Sequence, residues 1–352
     1  MMQKKYRAKE LMVFGQTLLE KAGLAADRAE IVSTILVEGD LLGHYTHGLN
    51  LLPAYVKEIE AGHLVLTGDP EILVEGECNA VIDGHYLPGP FLVNKALEMC
   101  YEKMKTMATS TVVIRRSHHI ACLGSYLKRI TDQGYVGIIL SSDPNNASIA
   151  PYGSYEPSYS PNPIAVGIPT NKEPILIDMS TSSTANGVVA KYRQEGKLLP
   201  DKWVLTNTGE PTNNPNLFFT TPPGSILPLG GMDLGYKGFA LGILVEALSS
   251  ALGGFGRADY PTHWGASVFV QTLNPKLFAG LDAFTKESTF FADSCTSKPP
   301  FKDGKGVFMP GAFELKNWEK QSSEGVELTK HIVESLALTA DAYGVPLPKE
   351  IS

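Results

Sequence analysis

Apolar residues recur at helical spacing through the first part of the chain. In the first such segment Leu11, Phe14 and Leu18 fall on one face, and Gly23 provides a natural stop. Three consecutive segments with this pattern are predicted to be helices: 7–23, 27–42 and 48–61. The chain is therefore expected to open with a helical region.

After about residue 72 the pattern changes to short apolar runs bounded by Gly, Pro or Asn, which is typical of strands. Five runs are predicted to be strands: Ala80–Asp83, Thr111–Arg115, Tyr135–Ser141, Pro174–Met179 and 266–271. Three further helices are predicted over 91–107, 123–133 and 327–344. Helices at both ends and strands between them indicate a mixed fold.

Two other segments have an unusual composition. Residues 142–172 contain six prolines and are predicted to be a long loop, and long ordered loops in compact proteins are usually functional. The run from Lys237 to about Leu252 is apolar nearly all round and is predicted to be a mostly buried helix.

Length and composition limit the classes to which the chain can belong. With 352 residues, 43% hydrophobic and 19% charged, it is expected to be globular, as two domains or as one domain with a helical annex. A net charge of −7 argues against nucleic acid or an anionic membrane as a partner. The segment Met1–Tyr6 lacks the apolar core of a signal peptide, and a cytoplasmic location is expected.

The sequence lacks the common metal and nucleotide motifs. Its four cysteines form no CxxC pair and are expected to be reduced, largely buried thiols. No HExxH or HxxxH occurs and the carboxylates do not cluster near histidines in the sequence, so no metal site is predicted. No GxGxxG follows a strand and no GxxxxGK[ST] occurs, which gives a Rossmann fold little support.

Two segments carry histidines that could act in proton transfer. Tyr45-Thr46-His47-Gly48 is a polar turn directly after an apolar helix, and an imidazole with an ordinary pKa near 6.5 can exchange a proton at neutral pH. Ser117-His118-His119 follows a predicted strand and precedes a helix. Adjacent histidines point in different directions, so at most one faces a site, and a structural role for either is the alternative.

Two more segments could contact a ligand. Asp178 to Thr184 leaves a strand and is dense in hydroxyl groups, which either cap a helix or offer donors to a phosphate or a ribose. Lys237 opens a predicted helix, where its charge opposes the helix dipole, and this favours a ligand contact.

Taken together, these segments resemble the type-2 malate/L-lactate dehydrogenase family over about residues 5–346. Asp40-x-x-Gly43-x-x-Thr46-His47-Gly48 is similar to the family's D-x-x-G-x-x-S-H-G, with Thr in place of Ser. The other matching segments follow in family order: Arg116-Ser117-His118-His119, Ser160-Pro161-Asn162-Pro163, Asp178-Met179-Ser180-Thr181-Ser182, Tyr236-Lys237-Gly238 and Met309-Pro310-Gly311.

The resemblance implies a mixed α/β (α+β) fold that is not a Rossmann fold. It implies a cofactor-binding domain with a largely antiparallel sheet at 76–304, and a helical domain formed by both chain ends, 1–75 with 305–352. It also implies a homodimer, a nicotinamide cofactor (NAD preferred, NADP possible) and hydride transfer at a small 2-hydroxy or 2-oxo acid, malate/oxaloacetate or lactate/pyruvate.

The resemblance also assigns roles to residues. His47 would be the general acid/base, His119 a second site histidine able to take that role, and Thr46 would orient His47 or bond the substrate. The cofactor would be lined by residues from four segments: Ser142, Asp178, Met179, Ser180, Thr181, Lys237, Pro310 and Gly311.

One departure bears on the substrate. The family usually has an arginine four residues after the histidine to clamp the substrate carboxylate, and Leu51 stands there in this chain. The charge could come instead from Arg116, Lys128 or Arg193. Two alternatives follow: a reductase of another C=O or C=N substrate, such as a ureidoglycolate-like or cyclic imino acid, and a catalytically weakened homologue, which Ala312 in place of an acid also favours.

Overall fold

A computed structural model describes residues 4–351, so the predictions for Met1 to Gln3 and Ser352 lie outside the described residues. Ten α-helices lie in this range: α1 Ala8–Lys21, α2 Ala26–Leu42, α3 Leu52–Glu60, α4 Gly89–Lys103, α5 Gly124–Thr131, α6 Asn186–Gln194, α7 Gly231–Glu246, α8 Leu281–Thr296, α9 Ala312–Glu324 and α10 Lys330–Ala342. Of the seven helices predicted from the sequence, six are present with shifted ends, and the seventh, from Lys237, is described below.

The strands between residues 4 and 351 form three sheets. They are β1 Lys4–Tyr6, β2 Glu71–Glu75, β3 Asn79–Asp83, β4 Thr109–Ser117, β5 Val136–Ser142, β6 Ile164–Ile168, β7 Ile175–Met179, β8 Val204–Leu205, β9 Pro211–Thr212, β10 Ser225–Ile226, β11 Ala266–Leu273 and β12 Val326–Leu328. The main sheet has the order β2-β3-β4-β11-β5-β6-β7, and of its described pairs only β3 with β4 is parallel. The predicted largely antiparallel sheet in a mixed α/β fold is confirmed.

Strand β11 occupies the centre of the main sheet, between β4 and β5. Val270 pairs with Val112 on one side and with Ile139 on the other, and all three side chains are fully buried. Such apolar runs are typical of strands covered on both faces. A segment from late in the chain thereby joins two strands that come from its middle.

Helix α2 packs against four other helices, α1, α4, α5 and α9. Residues along most of its length are buried. The chain ends meet as well, because β1 pairs with β12 so that Tyr6 lies opposite Val326. The division into 1–75 with 305–352 and 76–304 stays a prediction.

The prediction of a continuous loop over 142–172 is wrong. Within it, β6 pairs antiparallel with both β5 and β7. Pro163 and Pro169 stand directly outside the ends of this strand, where they do not interrupt its hydrogen bonds. The density of prolines in the segment concealed a short strand lying between two of them.

The prediction of a mostly buried helix from Lys237 is also wrong in its start and its burial. Helix α7 begins at Gly231, so Lys237 lies in its second turn, and a π-helical turn follows over Ala247–Ala251. Its buried positions are three glycines and Val245. Because glycines occupy most of the buried positions of α7, most of its large apolar side chains point outward. No helix among the described residues is long and apolar enough to span a membrane.

Candidate active site

The turn that carries Thr46 and His47 is fixed by a carboxyl group at the end of α2. Asp40 is fully buried, and its Oδ2 accepts the backbone N–H of Leu49 at 2.8 Å. A Cβ at Gly48 would collide with the same carboxyl group, so this position requires glycine. Asp40 therefore bridges the two ends of the turn.

Asp40 stays in an environment that disfavours its charge. Burial raises its pKa to about 8, against the stabilising N–H of Leu49. At neutral pH the carboxyl group that holds this turn is therefore protonated. Asp40 places no negative charge near His47.

A cavity of about 420 Å³ opens beside this turn. Its wall includes six residues predicted to be functional: Thr46, His47, His119, Asp178, Met179 and Ser180. A second cavity of about 330 Å³ contains Pro310 and Gly311 and shares Asp178 and Met179 with the first. The structure thus brings together eight of the predicted site residues from four distant segments.

Three residues predicted to line the cofactor do not line either cavity. Ser142 is buried and its Oγ bonds Ser249 and Ser250, at 3.0 and 2.8 Å. The hydroxyl of Thr181 is buried and donates to a backbone carbonyl at 3.1 Å. Lys237 is exposed on α7. Their predicted contact with a cofactor stays a prediction. Lys237 does not open a helix, because α7 begins at Gly231.

The hydroxyl-rich segment after β7 does not cap α6. The N-cap residue of α6 is Ala185, and no side chain caps the helix there. Ser182 and Ser183 donate instead to backbone carbonyls nearby. The capping interpretation of this segment is therefore wrong.

His47 is held at Nδ1 by the hydroxyl of Thr46, at 2.9 Å. Burial lowers its pKa below the ordinary value, while the negative charge of Asp178 opposes that shift. The imidazole rings of His47 and His119 stack with centroids 5.8 Å apart. The two predicted histidines therefore face one cavity side by side.

His119 is fixed by a tyrosine that the sequence did not single out. The fully buried Tyr55 places its hydroxyl 2.8 Å from His119 Nδ1, and the backbone N–H of Ala121 points at the same nitrogen at 3.3 Å. An amide can only donate, so Nδ1 is the acceptor and the proton resides on Nε2. Burial holds the pKa of His119 well below its ordinary value, which keeps the ring neutral.

The neighbouring His118 points elsewhere, as expected for adjacent histidines. Its side chain is fully buried, edge-on to Tyr55, with Nε2 3.7 Å from a carboxylate oxygen of Glu58. Trp264 stacks on His119 with centroids 4.6 Å apart and closes that side of the cavity. Sequence reasoning missed Tyr55 and Trp264, because an aromatic residue at a core position gives no signal of a site.

Among the described residues that line the larger cavity there is no lysine or arginine, and Leu51 forms part of its wall. The three residues suggested as replacement charges are engaged elsewhere. Arg116 bonds the buried Asp83 through two nitrogens, Lys128 pairs with Asp132, and the guanidinium of Arg193 lies 4.5 Å from the ring centroid of Phe219.

The wall of the cavity carries two carboxyl groups and neither lysine nor arginine among the described residues. Asp143 lies in it, and burial raises the pKa of this carboxyl to about 6. Asp178 lies there too, and its Oδ2 accepts the backbone N–H of Gly124 at 2.7 Å. One ligand atom each from His44, Cys122 and Asp178 lies within 4.8 Å of the others. The tertiary structure thus brings one carboxylate, one histidine and one cysteine together, although they lie far apart in the sequence.

Comparisons with known proteins agree with the mixed α/β fold. A family model described as Malate/L-lactate dehydrogenase matches residues 6–337. The chain is 29% identical over 340 residues to a malate/(S)-sulfolactate dehydrogenase of Methanothermus fervidus, covering 94% of this chain and 95% of the relative. It is 28% identical to an L-lactate dehydrogenase of Cupriavidus necator, covering 94% and 95%. The crystal structure of a malate dehydrogenase from Entamoeba histolytica superposes with a TM-score of 0.93 at 26% identity, covering 99% and 100%.

The buried carboxyl of Asp40 makes stability depend on pH. Below the unfolded-state pKa near 3.8 both states are protonated, and its contribution is complete. As the pH rises toward 8 the unfolded state ionises first, so folding stability falls. The Asp40→Asn variant cannot ionise, so it does not lose stability in this way. Its amide oxygen can still accept the backbone N–H of Leu49. We expect the free energy of unfolding of the variant, relative to the wild type, to rise by roughly 2–4 kcal/mol between pH 5 and pH 8.

Urea unfolding at pH 5, 6.5 and 8 measures this difference. Asp27→Asn is the matched control, since Asp27 is exposed at the start of the same helix and should give no trend across this range. Equal pH dependence for both variants would contradict a raised pKa at Asp40.

The bonding at His119 predicts its tautomer. In protein labelled with ¹⁵N-histidine, Nδ1 of His119 should carry the chemical shift of an unprotonated ring nitrogen and Nε2 that of a protonated one. Tyr55→Phe removes the hydroxyl and should raise the fraction with a proton on Nδ1. Tyr343→Phe is the control, because its hydroxyl bonds Glu60 far from this ring. A wild-type spectrum with a protonated Nδ1 would overturn the assignment.

Proposed function

The chain belongs to the malate/L-lactate dehydrogenase family, and from this premise we propose that it transfers a hydride between a nicotinamide cofactor and a small 2-hydroxy or 2-oxo acid. Malate with oxaloacetate and lactate with pyruvate are the pairs to test first. The observation that carries the proposal is the pair of histidines with centroids 5.8 Å apart, both facing one cavity.

The two histidines divide the work on the substrate oxygen. His119, neutral and protonated at Nε2, donates a hydrogen bond to that oxygen and does not take up its proton. His47 then receives the hydroxyl proton in oxidation and returns it in reduction. For this, His47 donates from Nδ1 to the hydroxyl of Thr46 and keeps a lone pair on Nε2. The negative charge of Asp178 favours the imidazolium that forms.

The described residues fit an extended cofactor. When bound, a nicotinamide supplies or accepts the hydride at its C4. The two cavities share Asp178 and Met179, so a ligand can span both, and Oδ1 of Asn186 is buried in the wall without a partner. Asp178, Met179, Ser180, Pro310 and Gly311 would hold it. NAD is preferred and NADP is tested beside it.

A second candidate function rests on Leu51. No lysine or arginine among the described residues lines the larger cavity, and a substrate carboxylate finds no guanidinium there. The substrate is therefore bound differently from the usual clamp, and reduction of another C=O or C=N substrate, such as a ureidoglycolate-like or cyclic imino acid, is the second candidate. Assays of 2-oxo acids and imines with NADH and NADPH distinguish the two. Cofactor binding without turnover of any of them would favour a catalytically weakened homologue.

A homodimer is part of the proposal. Helix α7 exposes large apolar side chains in both of its halves: Met232, Leu234, Tyr236, Ile243 and Leu244. Exposed apolar side chains gathered on one helix are typical of a subunit interface. Symmetric pairing of two copies through α7 would remove them from water.

Substitution of His47 should abolish most of the activity. We expect His47→Ala to lower kcat on the best 2-oxo acid by about 10²-fold or more, the usual contribution of a general acid/base. His119→Ala loses only a hydrogen-bond donor and should lower kcat less. The rate of NADH oxidation measures both, with His331→Ala on α10 as the control. Wild-type turnover in His47→Ala, with activity lost in His119→Ala, would reverse the roles.

Charge on the outer face of α7 should break the dimer. Ile243→Glu places a carboxylate in the proposed interface, and we expect the protein to sediment as a monomer at micromolar concentration. Leu338→Glu, at an exposed position on α10, is the control and should leave the dimer intact. Monomeric wild-type protein would overturn this part of the proposal.

A further inference from the structure

Three side chains with different donor atoms converge on the cavity wall beside the histidine pair. His44 follows the left-handed cap of α2, Cys122 lies just before α5, and Asp178 stands on β7. One ligand atom from each lies within 4.8 Å of the other two. Among residues 4–351 this is the one group of three metal-ligating side chains with such spacing.

The spacing of the three ligand atoms suits a cation with tetrahedral coordination after a small movement of the side chains. Three atoms within 4.8 Å of one another fit a circle of radius about 2.8 Å around a common centre. Zinc binds imidazole nitrogen and carboxylate oxygen at about 2.0–2.2 Å and thiolate sulfur at about 2.3 Å. Each side chain therefore needs to close in by less than about 1 Å. The backbone N–H of Gly124 already orients the carboxylate of Asp178, as outer contacts do in metal sites.

The donor set selects the kind of cation. A thiolate with an imidazole and one carboxylate suits zinc and its chemical relatives, whereas Mg²⁺ and Ca²⁺ require more oxygen ligands. The cavity also favours positive charge, because its described wall carries Asp143 and Asp178 and neither lysine nor arginine. We propose that His44, Cys122 and Asp178 bind one divalent cation of the zinc class, with the fourth coordination position open to the cavity.

Binding exchanges a proton for the metal. The thiol of Cys122 lies with its sulfur 3.8 Å from Asp178 Oδ2 as a weak S–H donor. The cation forms a bond to sulfur, the S–H bond breaks, and the proton leaves to solvent, so one proton is released for each cation bound. No oxidation or reduction occurs in this step.

The open position gives the cation a role in binding the substrate, and this role alone rests on the proposed function. A carboxylate oxygen of the substrate would take the fourth position. The cation would thereby supply the positive charge that Leu51 cannot supply, and in the loaded protein the charge of Asp178 would no longer favour the imidazolium of His47.

The cation is tested on the full chain after chelation, with Zn²⁺ and Co²⁺ as probes. We expect one equivalent of Zn²⁺ by calorimetry, one proton released in weak buffer, and a sulfur-to-cobalt charge-transfer band with Co²⁺. Cys122→Ser should weaken Zn²⁺ at least tenfold and remove the band. Cys78→Ser is the matched control, since that thiol is exposed and distant, and it should behave as the wild type.

A wild-type protein without the charge-transfer band, or with equal zinc affinity in Cys122→Ser, would overturn the site. The role of the cation in substrate binding is tested with oxamate, which should bind at least tenfold more tightly to the zinc-loaded wild type than to the chelated protein. Equal oxamate affinity in the two forms would overturn that role. Zinc binding with no turnover of any 2-oxo acid would instead contradict the proposed function, so the two failures are distinguishable.

Discussion

The contact between the buried carboxyl group of Asp40 and the backbone N–H of Leu49 is the constraint on which the site depends. It joins the end of α2 to the start of the next helical segment. Gly48 must be glycine because the carboxyl group occupies the space of a side chain. Thr46 and His47, which lie in this turn, are thereby held in the cavity wall. Since α2 also packs on α4 and α5, the turn is fixed relative to the strand that precedes His119.

Burial then determines the chemistry of the paired histidines. Both rings lose solvent, which lowers their pKa values and keeps them neutral near pH 7. Their bonding partners make them different. Tyr55 and Ala121 satisfy Nδ1 of His119 and turn its Nε2–H toward the cavity, while His47 has only a hydroxyl group beside it and the charge of Asp178 near its ring. One imidazole is suited to donate a hydrogen bond and the other to carry a proton. Equivalent residue types acquire separate roles from their surroundings.

Much of the fold followed from local patterns. Apolar periodicity predicted α1, α2 and α5 within a few residues, because apolar residues recur at helical spacing in each of them. The patterns failed where burial was not continuous with the local sequence. Strand β6 was hidden between two prolines that flank it, and α7 was taken as buried although its inward face is made of glycine. The motifs predicted a cavity shared by His47, His119 and Asp178, and the structure places these residues on one wall.

The sequence by itself determined the family, the mixed fold and the order of the motifs, since these depend on residue types at fixed local spacing. Only the tertiary structure decided which polar groups meet. Tyr55 reaches His119 across 64 positions of the chain, and Cys122 meets Asp178 across 56. Such contacts leave no periodic signal, because they arise from the packing of separate helices and strands. The absence of lysine and arginine from the described wall of the larger cavity likewise depends on tertiary packing. Arg116 is present in the sequence beside the site histidines, and a buried partner, Asp83, turns its charge away from them.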